Sequence, residues 1–195
     1  MLTGTSLLLV GSCAHRRQLD FYGTVPDFTL ISQAGQTTKL KDLEGKVWVA
    51  DFIYTNCTGP CPRMSSEMRQ VQEAVRNLTE VKLVSFTVDP VRDTPQVLAV
   101  YAKRFQAEPS RWLFLTGEQA VLRKVQRDGF HMATSDDLSH STHLALVDRH
   151  ARVRQYYRAF EPESVPQLIE DIRALLREQF TKPLNPMLRL EHADG

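Results

Sequence analysis

The sequence predicts an α/β fold, a central mixed sheet with helices on both faces, over residues 25–180. Three observations carry that expectation. Near-continuous apolar runs of β-forming residues alternate with segments whose apolar residues recur every three or four positions. Two further short β-rich runs flank a turn late in the chain, and a strongly periodic segment follows them. The composition agrees, since 195 residues that are 42% hydrophobic suit one domain able to bury its own core. Only 9 Gly and 10 Pro exclude a collagen-like or low-complexity chain. With Lys+Arg 24 against Asp+Glu 23, no excess positive field is available to bind a phosphate backbone, so a nucleic-acid partner is not expected.

The elements follow in order. Val47 to Tyr54, reading VWVADFIY, has the pattern of a strand buried on both faces. Pro62 follows, and Met64, Met68, Val71, Val75 and Leu78 then recur at three and four, an amphipathic helix with Pro in its first turn. A second strand, Val81 to Val88, leads through Asp89-Pro90 to Thr94-Pro95, where Thr caps and Pro opens a helix carrying Val97, Leu98, Tyr101 and Phe105. Trp112 to Thr116 reads as a short strand, and Glu118 to about Asp128 as a helix ended by Gly129. His140 to Val147 and Val153 to Tyr157 flank Asp148-Arg149-His150-Ala151 as a hairpin, and Val165 to Phe180 marks a closing helix. A βαβα unit followed by a hairpin and a helix is a thioredoxin-like layout.

Residues 1–24 read as a signal-like or flexible N-terminus, and 181–195, with Pro183 and Pro186, as a loosely held tail. Leu7 to Val10 is too short to cross a bilayer, which takes about 20 apolar residues. Leu8-Leu9-Val10-Gly11-Ser12-Cys13 resembles a bacterial lipoprotein cleavage site, although no Lys or Arg precedes the apolar stretch. A chance cysteine in a flexible terminus is the alternative.

The 3 cysteines divide into that singleton and a pair, Cys57 and Cys61, in the loop Thr55-Asn56-Cys57-Thr58-Gly59-Pro60-Cys61-Pro62 between the first buried strand and its helix. A thiol at a helix N-terminus faces unpaired N–H groups and the positive end of the dipole, which favour thiolate. Cysteines four apart share one face if the stretch coils, so they can close a disulfide or hold one soft metal ion between them. Two buried thiols packed as small hydrophobes are the plainer alternative. The spacing differs from that of thioredoxin, which separates its thiols by two residues.

The Cys-x-x-x-Cys-Pro loop after Phe52-Ile53-Tyr54-Thr55, the stretch Val88-Asp89-Pro90-Val91-Arg92-Asp93-Thr94-Pro95, and His140-Ser141-Thr142 before Leu146-Val147-Asp148 together resemble the Sco/SenC copper chaperones. The likeness runs from about Val25 to Phe180. It implies a thioredoxin fold in which Cys57, Cys61 and His140 hold a copper ion, Cu(I) or Cu(II), for delivery to the binuclear copper site of cytochrome c oxidase. It also implies a place in the bacterial cell envelope, on the periplasmic side of the inner membrane, with Cys13 as the membrane tether. The partners implied are the oxidase copper-site subunit or another copper acceptor, together with a thioredoxin-like reductant. Thiol-disulfide exchange, with Cys57 attacking and Cys61 resolving, is the rival activity; a thiol peroxidase, suggested by Thr55 and Cys57, is a third. Registering on Leu146-Val147-Asp148 gives His140 as the family's histidine, with His143 as its rival. On a strand the two face opposite sides. His15, His131, His150 and His192 read as loop or tail imidazoles.

No proline lies between Pro109 and Pro162, so the proline that thiol-exchanging thioredoxins place opposite the cysteine loop is missing, with His140 near its position. Asp89 and Asp93 can orient ligands or contact a partner, against the plainer reading that Asp89-Pro90 makes a turn and Asp93-Thr94 starts a helix. Two departures from the family pattern are Thr58, where Pro is frequent, and Ala151, where the turn usually has Gly.

Overall fold

The seven residues Val47–Ile53 are all buried, and they form the central strand that the apolar run foretells. The structure is a computed structural model that describes residues 19–132 and 142–178. Its strands and helices run in the order β1 (Gly23–Thr24), β2 (Thr29–Ser32), β3 (Thr37–Lys39), β4 (Val47–Ile53), α1 (Pro60–Ala74), β5 (Val81–Thr87), α2 (Pro95–Arg104), β6 (Trp112–Thr116), α3 (Gln119–Lys124), β7 (His143–Val147), β8 (Arg152–Arg158) and α4 (Ser164–Arg177). The strands make one sheet in the spatial order β1-β8-β7-β4-β5-β6-β2-β3. β4, β5 and β6 are parallel, in register from Val47 opposite Val81 to Ile53 opposite Thr87, so α1 and α2 serve as the crossovers that parallel pairing requires. β7 and β8 add antiparallel on one side, β2 and β3 on the other.

Side-chain alternation splits the core into two layers. Val47, Val49, Ile53, Leu83, Leu144 and Leu146 pack beneath α1, α2 and α4 through Met64, Met68, Leu98, Tyr101, Leu168 and Ile172. Trp48, Ala50, Phe52, Val84, Phe86, Ala145 and Val147 face Leu40, Leu43, Leu122, Val125 and Phe130. Helices therefore cover both faces. In the second layer Phe52 stacks on Phe86 at 5.3 Å between centroids, and the Phe130 ring meets Phe52 edge-on at 5.3 Å.

Four features depart from the sequence reading. β1, β2 and β3 were not foreseen; β2 alternates exposed and buried, and its partner β3 is a bare Thr-Thr-Lys, too short and polar to stand out. The helix expected from Glu118 to Asp128 ends at Lys124 and continues as a π-turn, Val125–Gly129, in which Phe130 N–H reaches Val125 C=O; the wider turn aims Phe130 into the aromatic layer. The described part of the hairpin strand starts at His143, while positions 140 and 141 lie outside the described residues. Residues 19–24 pack on the sheet: Leu19 is buried, and Gly23 and Thr24 pair with Val153 and Arg152.

The hairpin turn places Ala151 at φ 57°, where a Cβ crowds the backbone. Asp148 compensates by accepting from the N–H groups of His150 and Arg152. Ala151→Gly is expected to raise unfolding stability by about 1 kcal/mol in urea titration, and an unchanged or lowered midpoint would show that the turn carries no strain there.

Candidate metal centre

The cysteine loop connects the C-terminal end of β4 to the first turn of α1. Gly59 is the N-cap, and Pro60 opens the helix, where its missing N–H costs no hydrogen bond. Cys61 is the second helical residue, and its N–H donates to the Cys57 sulfur at 3.4 Å. The Cys57 side chain thus occupies the capping role at the helix start, satisfying one of the orphan donors there. Both cysteines are free; Cys57 is 7% exposed and Cys61 0%. The loop and the first turn of α1, rather than a coil spanning both residues, bring the Cys57 sulfur to the Cys61 N–H.

Their acidities are split. Burial opposes ionisation of Cys57, but donation from the Cys61 N–H and thiol, the Gly59 backbone and the Tyr54 side chain outweighs it and sets the thiol below its usual value. Burial dominates at Cys61 and, with the neighbouring Cys57 sulfur and Asp51, pushes it up to about 12. A slightly exposed cysteine inclined to thiolate stands beside a fully buried one that keeps its proton.

Asp51, on β4, is the unforeseen member of this neighbourhood. It lies in an apolar run and gave no sequence signal beyond being the one charged residue there. It is completely buried on the same sheet face as Val49 and Ile53, under α1. Neither carboxyl oxygen makes a hydrogen bond of normal geometry among the described residues. Burial pushes its carboxyl up to about 7, and Ser85, opposite it on β5, offsets that only in part. The Ser85 hydroxyl accepts from Trp112 Nε1 at 2.9 Å.

Of the two acids in the loop after β5, Asp89 pairs with Arg92 at 3.3 Å in the expected turn. Thr94 is the N-cap of α2, accepting from Val97 N–H at 3.4 Å. Asp93 does something else. Completely buried, it accepts from Thr55 N–H at 3.1 Å, from Thr55 Oγ1 at 2.5 Å and from Thr87 Oγ1 at 2.5 Å, tying the cysteine loop to the end of β5.

Cys13 and His140 lie outside the described residues, as do His15 and His192. His143 shares the strand alternation of Ala145 and Val147, which face the layer opposite the cysteines, whereas Leu144 and Leu146 face the cysteine layer. Burial, reinforced by Arg158, lowers the His143 imidazole below its usual range. His150 sits in the turn between β7 and β8, where the neighbouring Arg149 carbonyl accepts from Gly45 N–H before β4, at the far end of that strand from the cysteine loop. His131, at φ 48°, has its ring against Gly23, close to the β1 edge of the sheet. Among the described residues no group of three or more His, Cys, Asp and Glu side chains is placed to hold a metal ion. The donors at hand are the two sulfurs, soft ligands of the kind that suit copper.

The sequence model of the SCO1/SenC family matches residues 17–177. The chain belongs to the SCO1/SenC family. Among solved structures, a SCO1/SenC family lipoprotein from Bacillus anthracis superposes with a TM-score of 0.74 at 31% identity, covering 84% of this chain and 99% of that one. BsSco, described with a disulfide switch as a member of the Sco family of cytochrome c oxidase assembly proteins, gives 0.75 at 28% identity over 84% of this chain and 100% of its own. Copper-bound ScoI of Bradyrhizobium japonicum gives 0.66 at 25% identity, covering 78% and 99%. The thioredoxin-like fold expected from the order of elements is that of these SCO1/SenC neighbours.

Proposed function

We propose that this SCO1/SenC protein binds a copper ion through Cys57, Cys61 and His140 and passes it by ligand exchange to the copper-site subunit of cytochrome c oxidase. The observation that carries the reading is the pairing of Cys57 and Cys61 at the start of α1, with the Cys57 sulfur receiving the Cys61 N–H. That geometry favours thiolate at Cys57, and a bound cation would favour it at Cys61 by displacing the proton. Copper in the Bradyrhizobium relative and oxidase assembly in the family of BsSco support the choice of cargo and acceptor. Two sulfurs and one nitrogen leave a position open for an acceptor's ligand. Cys13 serves as the lipid attachment point that places the domain on the periplasmic side of the inner membrane, in keeping with the lipoprotein relative from Bacillus anthracis. Among the described residues no helix is long and apolar enough to cross a membrane.

The split acidities favour one second reading, reduction of a partner disulfide. Cys57 would attack as thiolate, and Cys61 would then displace the partner's thiol and close the Cys57–Cys61 disulfide, to be reopened by a thioredoxin-like reductant. Titrating the reduced protein with copper separates the two. Thiolate-to-copper charge-transfer absorption is expected in the wild type, and His140→Ala is expected to weaken binding by at least about tenfold while leaving disulfide exchange intact. Absence of those bands in the wild type would leave only the redox reading; unchanged affinity in the variant would remove His140 from the site.

A further inference from the structure

We infer that Asp93 is the positioning residue of the cysteine pair, acting through the Tyr54–Thr55 peptide unit that anchors Cys57. The inference rests on Cys57 and Cys61 being the working pair, whichever of the two activities they serve.

The hydrogen bonds converge on one peptide plane. Its N–H, that of Thr55, donates to the Asp93 carboxyl at 3.1 Å. Its C=O, that of Tyr54, accepts from Cys57 N–H at 3.3 Å. A peptide unit is rigid, so holding its N–H fixes the direction of its C=O and hence the backbone of Cys57. The Thr55 hydroxyl makes a second bond to Asp93 at 2.5 Å, which leaves the residue little freedom to rotate away.

Asp93 is itself held from behind. Thr87 Oγ1 donates at 2.5 Å to Oδ2, the oxygen that also accepts from Thr55 N–H, and accepts from Asp89 N–H at 3.0 Å, while Asp93 N–H donates to Asp89 C=O at 2.9 Å. The Asp89 turn thereby fixes the backbone of Asp93, Thr87 adds a second support from the end of β5, and the carboxyl so held sets the loop through Thr55. Asp93 is 0% exposed and is separated from Thr55 by 38 positions, so the tie joins two loops rather than starting a helix. Its bonds reach the cysteines only through backbone.

The two hydroxyl arms allow a test that separates positioning from general support. Thr55→Val and Thr87→Val each delete one hydroxyl bond to the same carboxyl, but only the first lies on the cysteine loop. The readout is the equilibrium of the reduced, metal-free full chain with oxidised glutathione, in which the Cys57 and Cys61 thiols are oxidised to one disulfide, identified by peptide mapping, and glutathione disulfide is reduced to two thiols. Copper affinity is measured alongside.

Thr55→Val is expected to lower the disulfide-forming constant by about tenfold, as loosening of the loop separates the sulfurs. Copper affinity is expected to fall with it. Thr55→Ser, which keeps the hydroxyl, should stay within about twofold of wild type, as should Thr87→Val even where urea unfolding shows it equally destabilised. Asp93→Asn should fall at least as far as Thr55→Val; should it fail to fold, the threonine pair decides. Equal effects of the two valine variants, or none from Thr55→Val, would overturn the assignment. Because the glutathione equilibrium needs no metal, a wild type that binds no copper would end the copper proposal without touching this one.

Discussion

Iodoacetamide added to the reduced protein near neutral pH is expected to modify Cys57 and to leave Cys61 almost untouched. With its thiol raised from the ordinary 9.0 to about 12, Cys61 has about 1000-fold less thiolate than an ordinary cysteine at neutral pH. Greater basicity makes each thiolate more nucleophilic and returns about 30-fold of that, leaving Cys61 roughly 30-fold slow before burial counts. Burial counts fully, since Cys61 has no accessible surface. Cys57 departs in the opposite direction, so of the two, peptide mapping after brief labelling should find the adduct on Cys57 and not on Cys61. Equal labelling, or Cys61 reacting first, would mean that the hydrogen bond from Cys61 N–H to the Cys57 sulfur does not set the chemistry of the pair.

Asp51→Asn should flatten the fall in stability that the wild type shows from mildly acid to mildly alkaline pH. The folded-state carboxyl titrates at about 7 against an ordinary 3.8, so between those values the folded protein holds a proton that the unfolded chain has released. Stability from this group is fully present below about 3.8 and is lost as pH rises through about 7. By pH 8 the loss is on the order of 4 kcal/mol. His143, with its imidazole held low, contributes in the opposite sense, gaining stability as pH rises, but it is common to both proteins and cancels in the comparison. Urea midpoints at several pH values provide the measurement. Parallel profiles for wild type and variant would show that Asp51 finds compensating partners on folding and does not titrate near neutrality.

The long elements were legible because their burial patterns are strong. Val47–Ile53 is buried throughout, and α1 repeats Met64, Met68 and Val71 toward the core, so apolar run and 3.6 period identify them unaided. The position of the cysteines was legible for the same reason, since a strand end and a proline-opened helix fix the loop between them. What escaped depends on partners far away in the chain. β2 and β3 exist as a hairpin docked on β6, and the Thr-Thr-Lys of β3 has no pattern of its own. Asp93 beside Thr94 stood open between orienting ligands or a partner and starting a helix, because its bonding partner Thr55 lies 38 positions earlier. Asp51 was read as one more position in a buried strand, because the loss of water around its carboxyl is a property of the packed layer and not of its neighbours in sequence.

The buried Arg154 has a bearing on how such a domain would stand on a surface. Its guanidinium donates to Leu19 C=O at 3.1 Å, Asp20 C=O at 2.9 Å, Asp148 at 3.0 Å and Glu178 at 3.1 Å, gathering the first and last described residues beside the turn between β7 and β8. That turn meets the start of β4, where Gly45 N–H donates to Arg149 C=O, whereas the cysteine loop leaves the strand's other end. The seven residues of β4 span about 20 Å. Any tether entering ahead of Leu19 would therefore grip the domain by its base and lift Cys57 and Cys61 to the opposite pole, a strand's length clear of the surface and turned toward whatever approaches from solution.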